Sequence, residues 1–406
     1  MKIAYILLWF PKPSETFIFR EVQGLRDLGL HVSVHTLYGP WVPNLSQEMS
    51  EHEIPVTNLG VKKLGRLMPD YAYWAKRKPQ AVKGLFRKIV LRRWRSFEAF
   101  GENLWAFWSG FTLARRFEKE GIEHIHAPWA TGPATAAWVA SLLTGIPFSF
   151  TGRSVDIYPP DGSLQDKIAA SLFVRTDVEA CIPYLQQHSP ENVDKVRHVY
   201  SPVPLVTPGQ TRAQFSKPLR ILAMGRFVEK KGFEYLLRAL AELKKRGREV
   251  RLTLVGEGGR GPFLKFLTWS LGIGNMVNFP GFVSHDEVPP LMAQSDIFVM
   301  PSIEAKCGDR DGVPNVVVEA MFHRLPVIGT DVGGLPEAIK DGETGYLVEQ
   351  KNERALVAAI EHMLDNEEEA HATACRGYEF VSNKFDIESC QRQLCELLLR
   401  EAKNAV

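Results

Sequence analysis

Two aspartates that flank an arginine, Asp309 and Asp311, are residues whose type and spacing could do chemistry. A D-x-D tripeptide can hold a divalent cation through its carboxylate oxygens and bridge that cation to a substrate diphosphate. The same carboxylates could instead lie at the edge of a site that binds a sugar or a nucleotide. The tripeptide alone does not decide between a metal clamp and such an edge.

Two cations, Arg226 and Lys231, lie in the segment GRFVEKKG (225–232), which directly follows the apolar run LRILAMG. Arginine offers a bidentate fork and lysine a mobile point charge, and together they can neutralise the charge that grows on a leaving phosphate. The spacing therefore indicates a diphosphate site. The alternative is a solvated basic start of a helix.

The segment GVPNVVVEAMFH (312–323) runs from a Gly/Pro loop into a predicted helix. The first backbone N–H groups of a helix have no partner inside it, so Gly312, Val313, Pro314 and Asn315 form a loop that suits an anion. Glu319, inside the opening turns, could accept hydrogen bonds from two ribose hydroxyls, and Asp311 could reach a sugar hydroxyl. A helix-start acid that only suits the macrodipole would explain Glu319 alone.

The segment GEGGRG (256–261) satisfies G-x-G-x-x-G directly after a predicted strand. A dinucleotide site also needs an acid about 20 residues further on to hold a ribose. The corresponding segment, NFPGFVS, contains none. Gly256 is therefore predicted to belong to a tight turn that lines a different nucleotide pocket. Gly333 and Gly334 predict another close approach of backbones.

The elements that must position these residues alternate in βα order. The strand IAYILL, the helix TFIFREVQGLRDLG and the strand HVSVHTLY form a first βαβ unit, and a similar series begins at LRILAMG after a Pro-rich stretch near 201–217. This rhythm predicts an α/β protein with two Rossmann-like, doubly wound domains. A cleft is expected where the carboxyl ends of the strands and the helix N-termini converge.

Composition limits the classes of function. The 406 residues carry 49 basic and 47 acidic side chains, so the net charge of +2 gives no support for a nucleic-acid partner. The five cysteines form no C-x-x-C pair, which argues against a zinc or redox site and indicates a reducing compartment. No apolar run approaches the roughly 18 residues of a membrane span. A cytoplasmic or peripheral protein is expected.

The order and spacing of these motifs over residues 218–350 resemble the second domain of the large family of retaining glycosyltransferases with the GT-B fold, the group 1 or family 4 type. In the first half, FPKPSETFIFREVQGLRDLG and HIHAPWA resemble the branch that builds exopolysaccharide and colanic-acid-type repeat units. The resemblance implies an acceptor domain (1–205), a nucleotide-sugar donor domain (206–385) and a C-terminal helix (386–406) that returns to the first domain.

The resemblance also implies roles in the donor domain. The family uses an E-x7-E pair whose first acid touches the sugar and whose second touches the ribose; Asp311, in place of the usual Glu, and Glu319 occupy these positions. Arg226 and Lys231 would neutralise charge, so no metal and no cofactor beyond the nucleotide sugar is expected. Residues 280–284, including Val283, would contact the base through backbone groups. A UDP-sugar is favoured and a GDP-sugar stays open.

The first domain departs from the family pattern at one position. The family segment FTAHA-x-DI reads FTGRSVDI here, so Arg153 replaces a histidine. Arginine cannot mimic a neutral imidazole, although it could hold a phosphate or an acidic sugar. His126 could substitute in part, or be a structural histidine at a strand end. Asp156 matches the family's acid, and Ser14 and Glu15 match the loop that faces the donor phosphate and the acceptor.

The acceptor side offers two interpretations. Residues 71–116 interleave cations, such as Arg93 and Arg95, with aromatic residues, such as Trp74 and Phe107. This pattern suits the surface of an anionic bilayer, where a lipid-diphosphate-linked sugar would be the acceptor. It equally suits a helical hairpin whose aromatic rings pack inward.

These features together predict a retaining, metal-independent hexosyltransferase. It would act on a saccharide or lipid-linked acceptor in bacterial surface polysaccharide synthesis, in the cytoplasm or on the inner face of the plasma membrane. Two other classes stay open. One is a GT-B-shaped nucleotide-sugar-binding or scaffold protein that has lost transfer, as Arg153 and Asp311 would suggest, and the other is a sugar-nucleotide epimerase, which would need further acid/base groups.

Overall fold

The computed structural model describes residues 1–40, 45, 47–60, 65, 67–92, 94, 96–158, 160–203 and 214–404. The chain divides into two compact units, which we call unit 1 (Met1–Pro202 with Glu388–Val406) and unit 2 (Val203–Ile387). The predicted boundary at 205/206 lies outside the described residues. The second division falls between 387 and 388, close to the predicted 385/386.

Unit 1 contains a seven-stranded parallel sheet of order β3-β2-β1-β4-β5-β6-β7. Its strands are β1 (Lys2–Trp9), β2 (His31–Gly39), β3 (Val56–Asn58), β4 (His124–Ala127), β5 (Phe148–Thr151), β6 (Phe173–Thr176) and β7 (Val196–His198). The central strands are buried on both faces because helices cover both faces of a parallel sheet. All four residues of β4 and all four of β5 are buried.

The helices of unit 1 connect these strands. They are α1 (Thr16–Asp27), α2 (Gln47–Ser50), α3 (Leu67–Arg77), α4 (Pro79–Leu85), α5 (Phe97–Glu120), α6 (Gly132–Thr144), α7 (Ser154–Ile157), α8 (Leu164–Ala170) and α9 (Ile182–His188). The longest, α5, begins where the Ser96 side chain accepts a hydrogen bond from Ala99 N at 3.1 Å and ends at Gly121 in the left-handed conformation. Both signals are ordinary helix boundaries.

The aromatic residues between 71 and 116 mostly pack inward. Trp74, Phe107 and Phe111 are fully buried among α3, α5 and α6, whereas Phe97 is 90% exposed. This packing supports the helical interpretation for those buried rings. Arg93 and Arg95 lie outside the described residues, and contact with a bilayer stays a prediction. Among the helices that the structure describes, none is long and apolar enough to cross a membrane.

Unit 2 contains a six-stranded parallel sheet of order β10-β9-β8-β11-β12-β13. Its strands are β8 (Leu219–Met224), β9 (Val250–Val255), β10 (Val277–Gly281), β11 (Ile297–Met300), β12 (Val327–Thr330) and β13 (Tyr346–Val348). Its helices are α10 (Phe233–Lys245), α11 (Gly261–Ser270), α12 (Val288–Ala293), α13 (Asn315–Phe322), α14 (Leu335–Ala338), α15 (Glu353–Asp365) and α16 (Glu367–Lys384). The strand order reverses direction after β8, and ligands of doubly wound sheets bind at the carboxyl ends beside such a point.

The last helix, α17 (Ile387–Asn404), packs on unit 1. Its Leu394 and Leu398 belong to the same buried cluster as Val22 of α1. The side chain of Gln391 donates a hydrogen bond to the Arg20 carbonyl at 2.9 Å. The return of the C-terminal helix to the first domain, predicted from the resemblance, is therefore present in the fold.

Candidate functional site

Three loops at the carboxyl edge of the unit 2 sheet are hydrogen-bonded to one another. Phe227 N, in the loop after β8, donates to Glu257 O in the loop after β9 at 2.7 Å. Gly256 N in turn donates to Gly281 O, at the end of β10, at 2.9 Å. The loops after β8, β9 and β10 therefore form one wall, and the half-buried Val283 lies just beyond it.

The glycine fingerprint has a structural explanation in this wall. Gly256 has a φ of 134°, and a Cβ there would lie 2.0 Å from the Gly225 carbonyl oxygen. The glycine is required because two backbones touch, which no side chain would permit. A cavity of about 480 Å³ opens beside Gly256, Glu257 and Gly281. The position of this cavity suits the predicted nucleotide pocket. The backbone contact at Gly256 explains the glycine pattern without a dinucleotide site.

Lys231 and Asp311 are brought together in the interior of unit 2. The Lys231 Nζ atom lies 2.8 Å from the Asp311 carboxylate, and both residues are buried. Ser302, which follows β11, donates a hydrogen bond from its hydroxyl to Asp311 at 2.6 Å. Burial alone would raise the pKa of Asp311, but the charges of Lys231 and Lys230, together with the hydrogen bonds from Lys231 and Ser302, hold that pKa below its usual value. Asp311 is therefore a carboxylate.

The other aspartate of the D-R-D tripeptide also faces an ammonium group. Lys230 Nζ lies 3.0 Å from Asp309 and 3.7 Å from Asp311. Burial raises the pKa of Asp309, while the charges of Lys230 and Arg226 oppose that rise. Arg226 is exposed on the same loop and close enough to act on Asp309. The ammonium groups of Lys230 and Lys231 thus pair with the two carboxylates of the tripeptide. Lys230 and Ser302 are site residues that the sequence analysis missed.

The loop before α13 is fixed by a close contact with the loop after β12. Gly333 has a φ of 62°, and a Cβ there would lie 2.0 Å from the Asp311 carbonyl oxygen. Gly334 N donates to that same oxygen at 3.1 Å. The contact orients the half-buried segment Gly312–Asn315, whose chain then enters α13. Glu319 is buried in α13, eight residues after Asp311.

In unit 1, Arg153 is enclosed and its charge is compensated. It follows β5, is 5% exposed, forms an ion pair with Asp177 and donates a hydrogen bond to the Ser201 hydroxyl at 2.7 Å. The guanidinium carbon lies 4.4 Å from the ring centroid of Phe17 and 5.5 Å from that of Trp129. These contacts give Arg153 a structural role, and its predicted contact with a phosphate or an acidic sugar stays a prediction.

A second buried arginine shares a carboxylate with Arg153. The fully buried Arg175 of β6 forms an ion pair with Glu21 of α1, which also accepts a hydrogen bond from the Tyr5 hydroxyl at 3.1 Å. Glu21 lies 3.8 Å from the Arg153 guanidinium as well. The sequence analysis missed this network, whose one signal is a charged residue inside the apolar strand FVRT.

His126 lies within the sheet and is fully buried. Its Nδ1 shares a hydrogen bond with the Ser149 hydroxyl (2.8 Å) and its Nε2 with the Thr151 hydroxyl (3.2 Å). The same Ser149 hydroxyl lies 2.7 Å from His124 Nε2. Burial lowers the pKa of His126 well below its usual value and that of His124 to about 4. This arrangement favours the structural alternative for His126.

The buried histidines predict loss of stability in acid. His124 has a usual pKa of 6.5 when unfolded and about 4 when folded, so protons favour the unfolded chain. The neutral His124 makes its full contribution to the free energy of unfolding above pH 6.5. That contribution falls by about 3 kcal/mol as the pH drops towards 4. Urea unfolding of the wild type and of His124→Gln across this range will show the difference. The exposed His31→Gln is the control, and identical profiles for all three proteins would contradict the prediction.

The remaining first-unit residues predicted for the site are Ser14, Glu15 and Asp156. Ser14 is exposed in the turn Pro13–Glu15, and Glu15 accepts a hydrogen bond from the Trp129 ring nitrogen at 3.4 Å. Asp156 is buried beneath Arg153, whose backbone N–H donates to it at 2.7 Å. Burial raises the pKa of Asp156 to about 7. Its roles, like those of Ser14 and Glu15, stay predictions.

Comparison with known proteins agrees with this arrangement. Residues 210–380 match the family model of glycosyl transferases group 1. A putative colanic acid biosynthesis glycosyltransferase, WcaL of Escherichia coli K12, is 27% identical over 98% of this chain and 99% of its own length. The amylovoran biosynthesis glycosyltransferase AmsK of Erwinia amylovora is 31% identical over 47% of each chain. The crystal structure of Anabaena Alr3699/HepE in complex with UDP has a TM-score of 0.75 at 18% identity, covering 98% of this chain and all of that one.

Two Rossmann-like parallel sheets define the GT-B fold, and the match to the glycosyl transferases group 1 model over residues 210–380 supports the glycosyltransferase class. Residues 210–380 carry the match to the glycosyl transferases of group 1, and the similar curated proteins include two named for colanic acid and amylovoran biosynthesis. The fold class that the sequence predicts is confirmed, and the match over residues 210–380 supports the predicted family.

Proposed function

We propose that this enzyme transfers a hexose from a nucleotide-diphosphate sugar to a saccharide or lipid-linked acceptor during bacterial surface polysaccharide synthesis. The observation that carries the proposal is the buried Lys231–Asp311 pair, with a distance of 2.8 Å, beside the exposed Arg226 and the start of α13. The matched relatives named for colanic acid and amylovoran biosynthesis support the class of product.

In this proposal the donor binds at the carboxyl edge of the unit 2 sheet. Arg226, Lys231 and the first N–H groups of α13 hold the diphosphate. Asp311 accepts a hydrogen bond from a sugar hydroxyl and Glu319 from the ribose. Lysine and arginine supply the positive charge that a metal ion supplies elsewhere, so turnover proceeds without one.

The proposed chemistry needs no protein nucleophile. The bond from the anomeric carbon to the diphosphate oxygen breaks while a bond to the acceptor oxygen forms on the same face, and the acceptor proton passes to the leaving diphosphate. Preorganised cations stabilise the negative charge that grows on the diphosphate. The anomeric configuration of the product, measured by NMR, tests retention. An inverted product would exclude this path.

UDP is the favoured nucleotide because the neighbouring HepE structure contains it. A thermal-shift titration with UDP, GDP and ADP, each with and without EDTA, tests the donor site. At about 100 times its dissociation constant a ligand adds roughly 2.7 kcal/mol of stability. We expect UDP to raise the melting temperature equally in EDTA, and Arg226→Gln to weaken that effect. If only GDP raises the melting temperature, the donor would be a GDP-sugar. Loss of the rise in EDTA would contradict metal independence, and no rise with any nucleotide would contradict the donor site.

A further inference from the structure

A second cavity in unit 2 lies away from the predicted donor loops. It has a volume of about 560 Å³ and is lined by side chains near the amino ends of β8 and β9, by β10 and by the segment around α12. Six of its polar lining residues are Arg220, Arg251, Thr253, Asn278, Gln294 and Ser295. Strands rise about 3.3 Å per residue, so Arg220 and Arg251, each five residues before the loop glycines Gly225 and Gly256, lie roughly 16 Å from the loops at the carboxyl edge.

Arg220 and Arg251 are neighbours across the sheet. They are register partners in the parallel pair β8 and β9, so both side chains leave the same face, and both residues are exposed. Like charges that lie opposite each other on adjacent strands destabilise a sheet. An anion bound between the two guanidinium groups would remove this repulsion.

In the part of the chain that the structure describes, the Asp296 carboxylate lies beside Arg220 and accepts a hydrogen bond from its backbone N–H at 2.7 Å. Neither guanidinium forms an ion pair in this described part of the chain, and the Arg220 guanidinium has a single hydrogen bond there, to the Gln294 carbonyl at 3.5 Å. By contrast, Arg246 and Arg248 of the same unit both pair with Glu361, at 2.8 and 3.2 Å. The lining of the cavity includes no aspartate or glutamate.

The lining selects the class of ligand. Two guanidinium forks, three amide side chains and two hydroxyls offer more hydrogen-bond donors than the two oxygens of one carboxylate can accept. A phosphoryl group has three terminal oxygens and matches bidentate arginine geometry. The volume also lies in the range of small-molecule sites, about 300–1,000 Å³.

We propose that this cavity binds the phosphoryl group of a small anionic ligand, at a site separate from the donor site. The two arginines hold the phosphoryl oxygens, and the neighbouring amides and hydroxyls bind the remainder of the ligand. Such a ligand removes the repulsion between Arg220 and Arg251 and so stabilises unit 2.

Isothermal titration of the full chain with inorganic pyrophosphate, with and without saturating UDP, tests the site. We expect binding to persist when UDP is present. Arg220→Gln and Arg251→Gln should each weaken it by about ten- to a hundredfold, since each removes charge-assisted hydrogen bonds. Arg238→Gln, at an exposed position of α10, and Arg226→Gln should leave the UDP-resistant binding unchanged.

The melting temperature of the ligand-free variants separates lost binding from lost folding. Arg251→Gln removes one of two like charges, so its melting temperature should equal or exceed that of the wild type while pyrophosphate affinity falls. Arg251→Lys keeps the charge and loses the fork, and should bind with intermediate affinity. Absence of UDP-resistant binding in the wild type, or equal binding by Arg220→Gln and Arg251→Gln, would overturn the proposal.

A phosphoryl group can come from a soluble compound or from a lipid headgroup. Glucose 1-phosphate and vesicles that contain phosphatidate distinguish these sources. Sedimentation of the wild type, but not of Arg220→Gln, with phosphatidate vesicles would assign the site to a headgroup. Binding of glucose 1-phosphate without vesicle binding would assign it to a soluble sugar phosphate.

Discussion

Replacing Lys231 with methionine is expected both to destabilise unit 2 and to stop transfer. Lys231 is 2.8 Å from the buried Asp311 carboxylate, and removal of one partner of a buried pair costs about 3–5 kcal/mol. The lower end applies here because Lys230 remains 3.7 Å from Asp311. The rate of transfer should fall at least about 100-fold, since a cation that stabilises the leaving diphosphate is lost.

A second substitution separates these two effects. The double variant Lys231→Met/Asp311→Asn removes both the ammonium and the carboxylate of the buried pair. Most of the free energy of unfolding should therefore return, while transfer stays lost. Urea unfolding and a product assay on the two single variants and the double variant measure the cycle. Lys245→Met removes a lysine whose side chain is 77% exposed and serves as the control. A stable Lys231→Met variant with normal turnover would refute the role of Lys231 in both respects.

Replacing Arg153 with histidine, the residue of the related family, is expected to destabilise unit 1. The guanidinium that pairs with Asp177 and lies 3.8 Å from Glu21 disappears, and a shorter imidazole cannot reach both carboxylates. Loss of one partner from such a buried network costs about 3–5 kcal/mol. Chemical unfolding measures this directly, and it must accompany any activity measurement on Arg153→His.

The double variant Arg153→His/Asp177→Asn removes the carboxylate that loses its partner and should recover part of that stability. It also gives a fair test of whether the natural arginine impairs transfer. Higher turnover than the wild type would favour a binding or scaffold protein derived from an enzyme, whereas no gain would argue against that hypothesis. The control Arg77→His breaks the exposed pair with Glu118, whose contribution to stability is small because solvent screens the two charges. If Arg77→His and Arg153→His lower the free energy of unfolding equally, the stabilising role of the buried Arg153 network would be contradicted.

The sequence predicts the fold and the donor motifs because both depend on short segments. Uninterrupted apolar strands, separated by helices with 3.6-residue periodicity, specify parallel sheets. The loops that carry Lys231 and Asp311 are marked by glycines whose backbones must touch. Lys230 could not be distinguished from Lys231 in the same way, because a 3₁₀ turn at Glu229–Lys231 directs both side chains inward.

Pairings between distant segments could not be predicted. Asp177 follows β6 and meets Arg153 only because β5 and β6 are adjacent in the sheet. For the same reason, the basic and aromatic stretch gave two equal interpretations: the spacing of Trp74 and Phe107 indicates helices but does not say which face another helix covers. Tertiary packing buried both rings.

The position of α17 gives unit 1 a discontinuous chain. Unit 2 is made of consecutive residues, so its core can form as soon as residue 387 has left the ribosome. Unit 1 begins first and finishes last, because the apolar surface around Val22 waits for Leu394 and Leu398. During synthesis the earlier half of this enzyme therefore stays incomplete while the later half folds, and the final helix closes it.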